Sequence, residues 1–382
     1  MSINREYIIS FYTWWEPERD SDEALRRSLS QIYDIGFQHV SFDIQHTWYL
    51  RKKEYWDRFV NICEKIGLDI LPVVTYGYLP DAKVLERVTG VKISRAALSD
   101  GSIVDCVNPC DLDNVEGLAL YIKKLVSEYS ETFTVIDGSP GVIIWEPSMV
   151  VWGRRGRRHI GYDTSTIFNF QKWCAERYHN VSCLNKAWGS DFKDFSEVKP
   201  PRESIWEGER RIIFMEYNKA WDDWCLFRAE RLAEFYKALT ETLRSSGISV
   251  LIGLSQHGVV VQHDAFYHRC IYLPFWVRVP ANRFIASVDL YCKSPSEVKL
   301  CFEAELAMFR KYFNDHVAAY VTPIESFNLV AYPEELVEIC DMYGVKEVNF
   351  YAWNEMGDGA NIRDHNEIWD GIKNIVLGRV KS

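Results

Sequence analysis

No apolar run in this chain approaches the ~20 residues that a membrane-crossing helix needs, so no bilayer span is expected and the protein reads as soluble. There is no basic stripe either. The net charge of -10 is spread along the sequence, which argues against nucleic acid as a partner, because a phosphate-binding surface needs clustered Lys and Arg. The one basic cluster, GRRGRRHI from Gly153 to Ile160, reads as a solvated loop, with a cover for an acidic sugar or a neighbouring subunit as the other reading. FYTWWEPERD, at the end of the first apolar segment, lacks the glycine-rich turn of a dinucleotide-binding sheet. No leader-like charged and apolar segment opens the sequence, and its ten cysteines are irregularly spaced, so cytoplasmic thiols are expected. The closest pair, Cys106 and Cys110 in CVNPC, has no second close pair or His pair beside it. Structural thiols, no metal and no cofactor are therefore the expectation.

What the chain does have is material for a large core: 382 residues, 47% hydrophobic and 26% charged. Short runs rich in Val, Ile, Phe and Tyr alternate with segments of helical period. The strand candidates are 7–15, 39–45, 69–77, 141–148, 249–258, 286–292, 316–326 and 347–355. Between them lie amphipathic stretches such as SDEALRRSLSQIYDIGF and PEELVEICDMYGV. Eight strand-helix units predict an α/β fold, a closed (β/α)8 TIM barrel forming a single domain over 1–382. Residues 150–211 are too long for one connection and carry their own helix, IFNFQKWCAERYH, so they read as an elaboration after strand four.

Function in such barrels sits at the C-terminal ends of the strands. Those ends hold Trp14 and Trp15, Asp43 and His46, Tyr76, Trp145 and Glu146, Gln256 and His257, Tyr291, Glu325, and Trp353 with Asn354. The set is rich in aromatics and has two glutamates at the tips of apolar strands, Glu146 and Glu325. A carboxylate there is costly to bury unless paired or protonated, and is expected to face the central cavity. Two carboxylates across a barrel mouth suit glycoside hydrolysis, and aromatic rings suit the apolar faces of sugars. Other readings exist for each. Glu146 could pair with an arginine, for instance from GRRGRR; Glu325 could mark a turn with Pro323 and Ser326; Trp353 could be core; Glu355 is a rival carboxylate. The stripe Phe168, Trp173 and Tyr178 reads as ordinary helix packing.

YTWWEPE, the WEP of strand four, the IES of strand seven and the YAW of strand eight resemble clan A glycoside hydrolases. The segment FQKWCAERYHNVSCLNKAWGSDFKDFSEVKPPR resembles the stretch that follows the acid/base in family 42 β-galactosidases, through Trp173, Tyr178, Leu184, Asn185, Ala187, Trp188, Gly189, Phe192, Pro200 and Pro201. The resemblance implies an acid/base after strand four and a nucleophile after strand seven, hence Glu146 and Glu325. Three departures stand out. Trp145 occupies the place of the family's Asn, leaving Gln256, His257 or Asn354 to hold the sugar 2-hydroxyl. The sequence ends after the eighth unit, without the family's trimerisation and C-terminal domains, and the cysteine cluster that binds zinc in some members has no clear counterpart after Glu146.

The expectation is a retaining β-glycosidase acting on a β-galactoside or β-glucoside. Glu325 attacks the anomeric carbon, and Glu146, kept protonated by Trp145 and the apolar strand, donates to the leaving oxygen. Trp353 would floor the sugar and Tyr291 would donate to the nucleophile. An endo-acting glucanase or mannanase, with Trp14, Trp15, Trp48 and Trp152 along an open cleft, is one alternative, and a non-catalytic carbohydrate-binding barrel is another. Self-association is left open by the sequence.

Overall fold

The computed structural model describes residues 6–11, 21–43, 53–75, 81–153, 156–202, 204–206, 212–214, 218–254, 265–287, 295–325, 328–329, 332–354 and 361–378. Eight parallel strands follow one another in sequence order: β1 (Glu6–Phe11), β2 (His39–Asp43), β3 (Asp69–Thr75), β4 (Ser139–Trp145), β5 (Ser249–Gly253), β6 (Arg283–Ser287), β7 (Val317–Val321) and β8 (Glu347–Phe350). β8 pairs with β1 through Glu6↔Glu347, and β4 pairs with β5 through Gly141↔Ser249, so the sheet closes on itself. This is the expected TIM barrel.

Around it pack α1 (Asp22–Asp34), α2 (Lys53–Ile66), α3 (Ala82–Thr89), α4 (Asn114–Tyr129), α5 (Thr164–Tyr178), α6 (Val181–Trp188), α7 (Lys219–Arg244), α8 (Pro295–Phe313), α9 (Pro333–Met342) and α10 (Asn366–Val376). Parallel strands covered on both faces read as continuous apolar runs, because alternate side chains enter different layers. Ile8, Leu71, Val73, Ile143, Trp145, Leu251, Ile285, Ala318 and Tyr320 fill the barrel interior. Ile9, Val40, Phe42, Val142, Ile144, Val250 and Val348 face the helices in the larger core. Among the described residues no helix is long and apolar enough to cross a membrane.

Four strands are seen to stop short of their expected ends: β4 at Trp145, β5 at Gly253, β7 at Val321 and β8 at Phe350. Pro147 and Pro323, which have no N–H for the ladder, follow two of them, and past β8 the run Tyr351–Trp353 resembles strand in composition alone. β6 begins at Arg283, ahead of the expected 286, where its side chain pairs with Glu347 of β8 at 2.7 Å. A hairpin, Arg95–Ala97 with Ile103–Val107, lies in the β3 to β4 connection and had no counterpart in the sequence reading.

The β4 to β5 connection contains a hairpin (Val150–Gly153 with Gly156–His159), then α5, α6 and a short ladder (Ser204–Trp206 with Ile212–Phe214), before α7 returns to the barrel. Its helices start at side-chain caps. Asp163 accepts from Thr166 N at 2.9 Å, Asn180 from Cys183 N at 2.9 Å and Asn218 from Trp221 N at 3.0 Å, each satisfying an otherwise unpaired first-turn donor. Phe170, Cys174, Leu184, Val198, Trp221 and Trp224 form a second core there, against the first half of α7.

Candidate active site

β4 ends by sending two neighbouring side chains to different places. The Trp145 ring enters the barrel, 6% exposed, edge-on to Tyr320 at 4.4 Å. It lies so close over Gly253 that a Cβ there would fall 2.0 Å from the indole, so the neighbouring strand needs glycine at that point. Tyr320 in turn shares a hydrogen bond with Ser41 at 3.2 Å, and Ser10 donates to Asn349 at 3.0 Å. Tyr351 stands edge-on to Tyr320 at 6.2 Å.

Glu146, the first residue past the strand, has φ +55, the left-handed region that non-glycine residues seldom occupy. Its backbone N–H donates to Gly253 O at 2.9 Å, and its carboxylate accepts from Arg269 Nη1 at 3.0 Å, with both side chains 4% exposed. Arg269 closes a π-helical turn, Ala265–Arg269, after β5, and its carbonyl accepts from Met149 N at 3.1 Å. Backbone and ion pair thus tie the loop after β4 to the segment after β5. The buried carboxylate therefore has a cationic partner beside the Trp145 ring and the apolar strand. The pairing with an arginine, considered from the sequence, is present with Arg269, while Arg154, Arg155 and the side chain of Arg157 in the GRRGRR run lie outside the described residues. Of that run, Arg158 bonds Ser99 at 3.4 Å and Asp100 at 3.3 Å, tying the 150–159 hairpin to the one at 95–107.

The remaining candidates separate into three groups. Glu325 lies in a two-residue ladder past β7, Ile324–Glu325 with Asn328–Leu329, and Asp43 is the last residue of β2; neither side chain is described. Trp14, Trp15, His46, Tyr76, Gln256, His257, Tyr291 and the rival Glu355 lie outside the described residues. Trp353 and Asn354 are buried, at 3% and 6% exposure. The Trp353 ring packs edge-on against Trp369 of α10 at 4.8 Å, within the layer between barrel and helices. This packing matches the core position also considered for Trp353, and past β8 it is Tyr351 that packs against the barrel-interior cluster.

Sequence inspection missed Arg269, Tyr320, Ser41, Ser10 and Asn349. The four on strands share the inward phase of their neighbours Ile8, Ala318 and Glu347, a signal that period-two counting contains. Arg269 carried no signal, since only folding brings it to Glu146.

The motif-bearing segment is an architectural unit. Asp223, fully buried on α7, accepts from Tyr178 and from Trp188 Nε1 at 2.9 Å, and pairs with Lys219 and with Arg177 at 3.4 Å. Burial, then Asp223, pushes the Tyr178 hydroxyl up to about 12. Asn185 accepts from Ser190 and Phe192 N and donates to Phe192 O at 2.8 Å, fastening the turn after α6, while Gly189 ends that helix at φ +69. Trp173 donates to Glu230 at 3.0 Å, so packing accounts for it, as it does for Tyr178. Cys106 and Cys110 are buried, and burial pushes each thiol up to about 12.

Comparison with known proteins points the same way. The family 42 glycoside hydrolase model, described as beta-galactosidase, matches residues 154–266. The beta-galactosidase BbgII of Bifidobacterium bifidum is 35% identical over 113 residues, which cover 28% of this chain and 15% of that protein. The chain thus matches only a small part of its curated relative's length. Among solved structures, the catalytic domain of a beta-amylase from Paenibacillus polymyxa aligns over 100% of both chains with a TM-score of 0.65 at 11% identity. A beta-galactosidase from Rahnella sp. R3 aligns over 99% of this chain and 56% of its own, with a TM-score of 0.65 at 13% identity. The chain therefore resembles clan A glycoside hydrolases of family 42, by fold over its whole length and by sequence over 154–266.

Proposed function

We propose that this barrel is a retaining glycoside hydrolase acting on β-linked glycosides of the galactoside or glucoside type. The observation that carries the reading is the position of the family 42 segment: it begins in the hairpin directly after a buried glutamate at the tip of β4. In the proposed reaction Glu325 attacks the anomeric carbon while Glu146 protonates the departing oxygen. Glu146 then takes a proton from the water that releases the sugar. The first half of this cycle requires Glu146 to carry a proton, and the second half requires it to accept one. Glu146→Ala is expected to slow glycosides with poor leaving groups ~10²- to 10⁴-fold and to spare activated aryl glycosides, while Glu325→Gln removes turnover of both. A panel of nitrophenyl and alkyl glycosides measures this, and parent-like rates for Glu146→Ala on both kinds would end the assignment.

The Arg269–Glu146 pair also favours a second reading, a sugar-binding barrel without hydrolysis, in which the carboxylate serves as the counter-charge of a buried guanidinium. Saturable sugar binding by calorimetry, with no product after prolonged incubation, would select it.

A further inference from the structure

The ion pair at the tip of β4 joins two strained pieces of backbone. Glu146 stands at φ +55, and Cys270, the residue directly after Arg269, stands at φ +62 and is fully buried. Left-handed backbone at a non-glycine residue is costly, persists only where its surroundings impose it, and clusters at functional sites. The turn that ends on Arg269, Ala265–Arg269, is π-helical, a rare form that is also frequent at such sites. It is fastened on several sides. The Tyr267 hydroxyl donates to Asp222 Oδ1 in the first turn of α7 at 2.6 Å, and the Tyr267 carbonyl accepts from Cys225 Sγ at 3.7 Å. Phe266 packs against both the larger core and the second core of the elaboration. At the end of the turn Arg269 O accepts from Met149 N at 3.1 Å, and Arg269 Nη1 donates to Glu146 Oε2 at 3.0 Å. A chain of contacts thus runs from α7 through Tyr267 and the turn to the carboxylate.

We propose that Arg269 is the positioning residue of Glu146: the π-helical turn, anchored on α7 through Tyr267, presents the guanidinium that sets where the carboxylate meets the departing oxygen. This rests on the reading of Glu146 as the acid/base. A general acid must stand within about 2.6–3.2 Å of the atom that it protonates, and a misplacement of about 1 Å costs on the order of 10²-fold in rate. Glutamate reaches its carboxylate through several rotatable bonds, so one oxygen held from a fastened turn removes that freedom before a substrate arrives. An arginine on an exposed loop would neutralise the carboxylate without directing it; burial of both side chains, each 4% exposed, and the anchored turn supply direction. Arg269 touches no reacting atom in this scheme and acts through Glu146. The stretch matched by the family model, 154–266, contains α7 and ends inside the turn, so the elaboration contributes to the site by holding the arginine in place.

The test compares alkyl and nitrophenyl β-glycosides with the folded full chain. Departure of an alkoxide depends on proton donation far more than departure of a nitrophenolate, so a misplaced acid shows as a change in the ratio of their kcat values. Arg269→Met, similar in length and uncharged, is expected to lower kcat for alkyl glycosides ~10- to 100-fold more than for nitrophenyl glycosides, with KM for both near that of the unsubstituted chain. Arg269→Lys should restore part of the ratio. Tyr267→Phe, which releases the turn from Asp222 and keeps the arginine, should move the ratio in the same direction by a smaller factor. A role in folding alone would reduce both substrates together. An unmoved ratio in Arg269→Met, or faster alkyl cleavage, overturns the proposal; if that variant does not fold, an unmoved ratio in Tyr267→Phe overturns it instead. The unsubstituted chain separates the two readings. If it cleaves neither kind of glycoside, the glycosidase reading falls and the positioning falls with it, whereas an active chain with an unmoved ratio in its variants sinks the positioning alone.

Discussion

Trp145 and Glu146 are adjacent, yet they meet opposite demands. The indole needs space, and it finds it only because β5 offers a glycine beneath the ring. Glu146 needs a counter-charge, and it obtains one from Arg269 while its backbone turns into the left-handed region, a conformation that costs on the order of 1–3 kcal/mol and persists only where its surroundings impose it. Here the imposing contacts are the bond to Gly253 O and the ion pair. Gly253→Ala is therefore expected to drive the Trp145 ring off its contact with Tyr320, at a cost of about 1–3 kcal/mol for overpacking. Denaturant midpoints measure the loss, and a changed tryptophan emission spectrum would report the displaced ring. An unchanged midpoint and spectrum would mean that the ring does not lie over Gly253.

At the scale of elements, one buried carboxylate joins the helices of the long connection after β4. Asp223 gathers Tyr178 from α5, Trp188 from α6, and Lys219 from its own helix, so three helices share one acceptor. Tyr178 and Trp188 thus build a joint with Asp223, and Asn185 fastens the turn beside it. Asp223→Ala leaves the donors without their acceptor and is expected to cost about 3 kcal/mol, in the range for breaking a buried pair. Hydrogen exchange should then rise across 164–198 while β1 to β3 keep their protection. Uniform loosening of the whole chain would show that the segment and the barrel are one cooperative unit.

Across the whole molecule, the N-terminal face of the barrel is closed by charge. Arg283 of β6 bonds Glu347 at 2.7 Å and Asp137 at 3.0 and 3.1 Å, and Asn282 adds a bond to Asp137 at 2.9 Å. The Arg283 bond holds the Asp137 carboxyl below its usual 3.8, so its contribution is present above that pH and is lost as pH falls through the lowered value. Burial raises Glu347 despite Arg283, so its effect on stability runs in the opposite sense. Asp137→Asn should lower stability by no more than about 1 kcal/mol near neutrality, because Asp137 is partly exposed and screened by solvent. The gap to the unsubstituted protein should narrow as denaturation is followed at pH values falling below 3.8. The barrel itself was legible without coordinates, since strands such as VIIW and VAAYV are buried on both faces and must alternate with helices to be so. Glu146 was legible too, as an acid out of place in apolar company. What no linear pattern contained was its partner: Arg269 lies more than a hundred residues away and meets Glu146 only because β4 and β5 are neighbours in a closed sheet. Local periodicity depends on near neighbours and so determined the elements and their order. The charge state of a site depends on whatever folding brings within a few ångströms, and that was decided by tertiary structure alone.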